Sequence, residues 1–213
     1  MSTDIANLRR DYRTRRLDPG ALDPDPFRQF EHWFAEAMET QVLDPNAMSI
    51  ASVAADRQPS LRTVLLKYYD ASGFVFYTNL ESRKSREIIA NPRVALLFYW
   101  AELSRQVRIT GTASHTSAAE NLRYFMTRPR DSQIGAWVSA QSSVISSRSL
   151  IENKFMEMRQ KFAAGEVPLP SFWGGYRVQP ETIEFWQAGE HRLHDRFLYS
   201  RSGDGWSIAR LAP

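Results

Sequence analysis

Leu61-Arg62-Thr63-Val64-Leu65-Leu66-Lys67-Tyr68-Tyr69-Asp70-Ala71-Ser72-Gly73-Phe74-Val75-Phe76-Tyr77-Thr78 is the stretch that decides the fold class. Both ends are rich in β-branched and aromatic residues, which suit a pleated surface, and the Asp70-Ala71-Ser72-Gly73 segment between them is made of turn formers. The pattern predicts strands over 61–69 and 73–78 joined by a tight turn, which makes the pair antiparallel. The same grammar continues in both directions. Upstream, Asp56-Arg57-Gln58-Pro59 separates a strand over 47–54; downstream, a short helix over 82–90 and the Asn91-Pro92 turn precede strands over 93–100 and 105–113. Closely spaced strands with short connections point to an antiparallel sheet or barrel, and no Gly-x-Gly-x-x-Gly follows any of them, so a dinucleotide-binding α/β domain is not expected.

Farther out, helical spacing over 27–41 places Phe27, Phe30, Phe34, Ala37 and Met38 on one side, with Asp25 as N-cap and Pro26 in the first turn. Helices are predicted over 117–127, 132–139 and 147–163, and short strands over 176–178, 181–187, 196–200 and 206–210. There is no internal repeat and no long linker. The expectation is a mainly β, α+β domain with peripheral helices over 23–213, preceded by a basic arm over 1–22. That arm carries Arg9, Arg10, Arg13, Arg15 and Arg16 against Asp4 and Asp11, and reads either as a solvated tail or as a lid that closes on an anion.

Composition narrows the chemistry. The chain has 213 residues, 43% hydrophobic and 12% aromatic, enough for one substantial core. It has no cysteine, which excludes disulfides, thiolate metal sites and cysteine nucleophiles. No apolar run is long enough for a membrane helix, residues 1–7 have no secretory-type apolar core, and a cytoplasmic location is the default. The net charge of +3 is too mild to indicate nucleic acid. Lys67, Lys84, Lys154 and Lys161 are the only lysines among 27 basic residues. An arginine-rich balance suits bidentate phosphate recognition, although a codon bias would look the same. His32 and His115 are isolated and no metal-ligand spacing is present; no metal is expected.

Four basic clusters remain. Strand alternation puts Arg62 and Lys67 on opposite faces unless a bulge intervenes. Arg83-Lys84 opens a helix just after Thr78, Asn79 and Ser82; cations there oppose the helix dipole and call for an anion, so this cluster is read as a phosphate cradle. Tyr124 and Arg128 lie one turn apart, and Ser132 is the expected cap of the next helix. They form either a second anion site or an ordinary helix–turn–helix with Arg128 at the C-terminal end of its helix. The last cluster is Trp186-Gln187-Ala188-Gly189-Glu190-His191-Arg192-Leu193-His194-Asp195-Arg196. If extended, it lines Arg192, His194 and Arg196 along one side over roughly 13 Å at about 3.3 Å per residue. That is either a wet strand edge or one wall of a site for a planar anion. No Gly-x-Ser-x-Gly elbow or Walker loop is present. The residues by themselves suggest a barrel with two phosphate subsites and leave the reaction open.

Several stretches resemble one family. They are Arg62 through Lys67, Phe76-Tyr77-Thr78-Asn79, Ser82-Arg83-Lys84, the run from Arg128 through Trp137, Gln141-Ser142-Ser143, residues 168–175, 186–196 and the ending Arg210-Leu211-Ala212-Pro213. In this order they resemble the pyridoxine/pyridoxamine 5′-phosphate oxidases. The resemblance implies an FMN-binding split β-barrel of antiparallel Greek-key type and a homodimer with FMN sites at the interface. It implies oxidation of pyridoxamine and pyridoxine 5′-phosphates to pyridoxal 5′-phosphate, with O2 reoxidising the flavin. It assigns FMN to Arg62, Thr63, Val64, Leu65, Leu66, Lys67, Tyr77, Thr78, Arg83, Lys84 and Gln106, with Gln141, Ser142, Trp186 and Arg196 completing the site from the partner chain. It assigns the substrate phosphate to Lys67, Tyr124, Arg128 and Ser132, and the pyridine ring to Arg192, Leu193 and His194, with Arg192 and His194 as the catalytic pair. Arg9, Arg10, Asp11 and Tyr12 match an arm that closes over substrate. Two rivals are a flavin- or B6-vitamer-binding carrier or sensor with little turnover, and an RNA-binding β-protein. The complete Arg192/His194 pair argues against the first, and the mild charge against the second.

Overall fold

The computed structural model describes residues 16–138 and 140–213. The arm residues Arg9, Arg10, Asp11 and Tyr12 therefore lie outside the described residues. The described chain forms strands β1 (Ala47–Val53), β2 (Pro59–Leu65), β3 (Tyr68–Asp70), β4 (Gly73–Asn79), β5 (Arg93–Trp100), β6 (Arg105–His115), β7 (Trp173–Gln187), β8 (Asp195–Ser202) and β9 (Gly205–Arg210). Its helices are α1 (Pro26–Glu39), α2 (Arg83–Ala90), α3 (Ala118–Thr127), α4 (Arg130–Val138) and α5 (Arg148–Lys161).

The strands join one sheet in the order β2-β1-β5-β6-β7-β4-β3, with β8 on β7 and β9 on β8. The β3/β4, β4/β7, β7/β8 and β8/β9 pairs are antiparallel. Non-consecutive neighbours such as β1/β5 and β7/β4 require crossovers. The mainly β, antiparallel expectation holds, with helices added around it.

The chain divides into two compact units. One comprises the described residues up to Met48, Leu96–Thr110 and Pro180–Pro213. Its core is aromatic: Phe30 meets Phe98 with ring centres 5.1 Å apart, and Trp33 meets Phe185 edge-on, also at 5.1 Å. Helix α1 supplies Phe30 and Trp33. Asp25 starts it as the sequence predicts, accepting the Phe27 N–H at 2.9 Å, a cap worth about 1 kcal/mol. The second unit comprises Ser49–Ala95 and Gly111–Gln179. Phe125, Ile134, Met158, Phe162, Val167 and Trp173 form one of its buried clusters, with α3, α4 and α5 contributing the first three. Full burial of side chains this size contributes about 1.5–3 kcal/mol each. Ser117 and Glu120 close a reciprocal capping box on α3.

Four local expectations change. The predicted strand over 61–69 is broken: Leu66 turns inward at 4% exposure, Lys67 N–H donates to the Val75 carbonyl, and β3 begins at Tyr68. The predicted strands over 176–178 and 181–187 are one strand, β7. Pro180 falls between two partners along one edge: the β4 pairing ends at Val178 and the β8 pairing begins at Thr182. Helix α4 starts at Arg130, so Ser132 lies inside its first turn and does not cap it. The stretch from Trp186 to Arg196 is a hairpin corner and not a ribbon: positive φ at His191 (54°) and Arg192 (64°) turns the chain between β7 and β8.

Candidate functional site

A cleft of about 1030 Å³ opens in the second unit, at the upper end of the size range of small-molecule sites. Strand β2 and the break after it bring Arg62, Thr63, Val64, Leu65 and Lys67 to its wall. The break is the bulge-like interruption that lets both Arg62 and Lys67 face one space. Strand β4 brings Tyr77 and Thr78, the start of α2 brings Arg83 and Lys84, and the turn after α4 brings Gln141 and Ser142. Tyr124, Arg128 and Ser132 line the same cleft. Leu66 is in the stretch, but its side chain is buried and does not line the cleft.

The first cationic group surrounds the start of α2. Ser82 caps the helix, accepting from Ser85 N–H. Lys84 is 7% exposed, and its Nζ donates to Gln141 Oε1 at 2.6 Å, Thr78 Oγ1 at 2.7 Å and Ser82 Oγ at 3.2 Å. All three acceptors are neutral. Burial, and then the charge of Arg62, pushes the Lys84 ammonium down to about 8. Arg83 N–H donates to Ser142 Oγ at 3.3 Å. Part of the charge compensation expected from an anion is internal: Glu87 pairs with Arg83 at 2.7 Å and with Arg62 at 3.2 Å. Lys84 has no carboxylate of its own among the described residues, and a buried ammonium among neutral oxygens suits a phosphate. Gln141 and Ser142 reach this group from the same chain, not from a partner as the resemblance implies. The turn after α4 carries Gln141 to Lys84, and Thr78 Oγ1 also donates to it at 3.1 Å.

The second cationic group pairs Lys67 with Arg128. Burial and the neighbouring Arg128 charge lower the Lys67 ammonium, and burial lowers the Arg128 guanidinium. Arg128 sits just past α3 in extended conformation, with its guanidinium 4.9 Å from the Trp173 ring centre. Its Nη1 is buried without a hydrogen-bond partner. A buried donor left unpaired costs about 1–3 kcal/mol, and an oxyanion would remove that cost. The Ser132 N–H is already given to the Pro129 carbonyl at 2.8 Å, so this residue offers its hydroxyl and not a helix-start amide.

The cleft also has an aromatic wall. Tyr77 stacks on Tyr124 at 4.2 Å and on Trp173 at 5.2 Å, with interplanar angles of 21° and 7°. Burial, then Tyr68, Glu120 and Tyr124, pushes the Tyr77 phenol up to about 12, so it stays a donor at neutral pH. Gly175 lies opposite Tyr77 across β4/β7. A Cβ there would come within 2.8 Å of Tyr77 Cε1 and 2.6 Å of Thr116 Oγ1; the glycine makes room for the ring.

Gln106, Trp186, Arg192, Leu193, His194 and Arg196 belong to the first unit. Gln106 is half-buried on β6. Trp186 and Arg196 are direct cross-strand partners of β7 and β8, and Arg196 is fixed by Glu184 at 2.8 Å and the Ala212 carbonyl at 2.8 Å. His194 packs on Trp186 at 4.6 Å between ring centres. Gly189 N–H donates to His194 Nδ1 at 3.1 Å, which leaves the neutral ring's proton on Nε2. Arg192 and Leu193 are exposed. Leu193 and His194 border a second cavity of about 960 Å³ with Asp195, Arg210 and Pro213. Trp173, Asn79, Thr127 and Pro129 line the main cleft but carry no role in the sequence reading. For Trp173 the only signal was its place within the 168–175 match. Among the described residues no group of His, Cys, Asp or Glu is placed to hold a metal, and no helix is long and apolar enough to cross a membrane.

The family model described as pyridoxamine 5′-phosphate oxidase matches residues 34–162, and that of the pyridoxine 5′-phosphate oxidase C-terminal dimerisation region matches 173–213. The chain is 57% identical to the pyridoxine/pyridoxamine 5′-phosphate oxidase of Aeromonas hydrophila, over 99% of this chain and 100% of that one. It is 59% identical to the protein of the same name from Rippkaea orientalis, with the same coverage. Among solved structures, PhzG of Burkholderia lata, in complex with tetrahydrophenazine-1-carboxylic acid, matches with a TM-score of 0.87 and 28% identity, over 94% of this chain and 99% of that one. An FMN-binding, pyridoxamine 5′-phosphate oxidase-related protein of Nostoc punctiforme matches in fold, with a TM-score of 0.70 at 14% identity, over 91% of this chain and 99% of that one.

Proposed function

The chain belongs to the pyridoxine/pyridoxamine 5′-phosphate oxidase family, and from that premise we propose how its own residues carry the reaction. It is an FMN-dependent split-barrel oxidoreductase of vitamin B6 synthesis that oxidises pyridoxamine and pyridoxine 5′-phosphates to pyridoxal 5′-phosphate, and it acts as a homodimer. The observation that carries the assignment of residues is a single cleft with two separate cationic groups, matching two phosphorylated ligands.

In this reading Arg62, Arg83 and Lys84, with Thr78, Gln141 and Ser142, hold the FMN phosphate. Thr63, Val64 and Leu65 flank the cofactor along β2, with Leu66 buried behind them, and Tyr77 lies beside it. Lys67, Tyr124, Arg128 and Ser132 hold the substrate phosphate; the orphaned Arg128 Nη1 supports that role. Arg192, Leu193 and His194 hold the pyridine ring, with Arg192 and His194 as the catalytic pair, His194 donating through Nε2. Gln106, Trp186 and Arg196 complete the cofactor site, and two such sites form at the dimer interface, with Trp186 and Arg196 arriving from the partner chain. The arm with Arg9, Arg10, Asp11 and Tyr12 closes over substrate. When bound, FMN supplies the acceptor for the hydride lost from the substrate's C4′ carbon, and O2 takes the electrons onward as hydrogen peroxide. The protein's own work is to bind, orient and keep the reacting groups at a fixed distance.

Residues 23–213 are proposed to act as one domain, because β1, β5, β6 and β7 each run through both compact units. A cytoplasmic location is part of the same proposal, since phosphate esters are costly to move through hydrocarbon and the enzyme must work where they are made. The test is steady-state turnover of the FMN-loaded chain. Pyridoxal 5′-phosphate and hydrogen peroxide should form one for one from either substrate; vitamer binding without product would contradict the reading.

A further inference from the structure

Glu87 lies behind the first cationic group, on the turn of α2 that follows Arg83. It is 4% exposed, and it takes no part in the roles described above. Its two oxygens are divided between two arginines from different elements. Oε1 accepts Arg83 Nε at 2.7 Å; Oε2 accepts Arg62 Nη2 at 3.2 Å, Ser52 Oγ at 2.6 Å and the Ser60 hydroxyl. Arg62 is held on its other edge as well, where Nη1 donates to Ser52 Oγ at 2.6 Å and to the Ile50 carbonyl at 3.2 Å. Nη2 also reaches Ser60 Oγ. One carboxylate therefore ties the guanidinium of β2 to that of α2, across a serine pair that fixes the carboxylate itself.

We propose that Glu87 is a positioning residue for cofactor binding, which presets Arg62 and Arg83 for the phosphate of FMN and trims the net charge of the group to match a phosphate dianion. The inference rests on the reading that Arg62, Arg83 and Lys84 hold that phosphate. Burial alone would raise the Glu87 carboxyl. Hydrogen bonds from Ser52, Ser60 and Arg83, and the charge of Arg62, outweigh burial and hold it down at about 2, so it is ionised throughout the working range. With Glu87 ionised and all three cations protonated, the group carries two net positive charges. A phosphate monoester above its second pKa, about 6, carries two negative ones.

Simple attraction and positioning make opposite predictions for Glu87→Gln. Removing a negative charge next to the phosphate strengthens attraction for a dianion. Loosening two guanidinium groups weakens the oriented hydrogen bonds on which bidentate recognition depends. Apoprotein is titrated with FMN and with riboflavin, which lacks the phosphate, following quenching of flavin fluorescence. The ratio of the two affinities isolates the phosphate.

In Glu87→Gln the preference for FMN over riboflavin should fall by about tenfold or more, the size carried by outer hydrogen-bond partners at other charged sites. An unchanged or increased preference overturns the proposal, including the case in which both affinities fall together because the scaffold has loosened. Should the Gln variant fail to fold, Glu87→Asp is read in the same way: its carboxylate keeps the charge but is one methylene too short to reach both arginines, so the preference must fall there too. A wild-type chain with no preference for FMN over riboflavin would overturn the phosphate cradle itself, and the inference with it.

Discussion

Lys84 Nζ and Gln141 Oε1 lie 2.6 Å apart, joining a buried ammonium on α2 to a residue 57 positions later in the chain. With its pKa lowered to about 8 in the free protein, chiefly by burial, Lys84 loses its proton within the ordinary range of enzyme assays. The unfolded chain holds that proton up to lysine's ordinary value of 10.5, so folding stability gains with pH between about 8 and 10.5. Cofactor binding runs the other way, because a phosphate favours the protonated form. FMN affinity should fall as pH rises above about 8, by up to roughly tenfold per pH unit for one linked proton. Flavin titration across that range checks it; Lys84→Arg should remove the break, and an affinity flat with pH would contradict the role.

Arg128 should matter to substrate and little to cofactor. Its unpartnered Nη1 and the adjacent Lys67 make a charge-assisted site worth about 1.5–3 kcal/mol. Arg128→Ala is therefore expected to lower kcat/KM for pyridoxamine 5′-phosphate by roughly tenfold to more than a hundredfold, mostly through KM, with FMN retention close to wild type. Equal losses of both would argue against a separate substrate cradle.

The stacked Tyr77 depends on Gly175. In Gly175→Ala the new methyl group meets Thr116 Oγ1 and the Tyr77 ring at 2.6 and 2.8 Å, and the ring must shift. Overpacking of this kind costs about 1–3 kcal/mol. A lowered Tm together with weaker FMN retention is the expected outcome, and an unperturbed variant would show that the wall is looser than the geometry describes.

At the β7–β8 corner, Gly189 makes a comparable close approach: a Cβ would lie 2.0 Å from the Leu193 carbonyl oxygen. Gly189→Ala must open the corner and break the hydrogen bond from Gly189 N–H to His194 Nδ1. Freed of that donor, the imidazole loses its fixed tautomer. Turnover should drop by about tenfold or more, since small misplacements of reacting groups cost that much, with FMN affinity changed far less. His194 sits near Arg192 and Arg196, and burial and then these charges lower its pKa, which favours the neutral ring.

Much of the fold was legible because its signals are local. The β-branched and aromatic run after the Asn91-Pro92 turn marked β5 to the residue, and Asp25-Pro26 marked the start of α1. The split between β2 and β3 was not legible: Leu66 continues the apolar run of Val64 and Leu65, and the break is set by Lys67 N–H pairing with the Val75 carbonyl. Pro180 hid the continuity of β7, because only the tertiary pairing shows one strand running from β4 to β8 through it. The hairpin corner was missed for a similar reason. Histidine is among the types enriched at positive φ but arginine is not, and the spacing of Arg192, His194 and Arg196 pointed to an extended ribbon instead.

The same distinction holds at the site. Arg83-Lys84 at a helix start, and Tyr124, Arg128 and Ser132 at helical spacing, are short-range patterns that sequence displays. The meeting of Lys84 with Gln141, and of Glu87 with Arg62, Ser52 and Ser60, comes from tertiary packing. Sequence spacing carries no trace of it.

The central claim, that this cleft brings a phosphorylated B6 vitamer to bound FMN for oxidation, is tested most directly by a single anaerobic mixing experiment. FMN-loaded protein is mixed with pyridoxamine 5′-phosphate without oxygen, and the flavin absorbance is followed. The account predicts that the yellow colour bleaches as pyridoxal 5′-phosphate appears in equal amount, and that it returns when air is admitted. A flavin that stays oxidised in the presence of saturating substrate would contradict it.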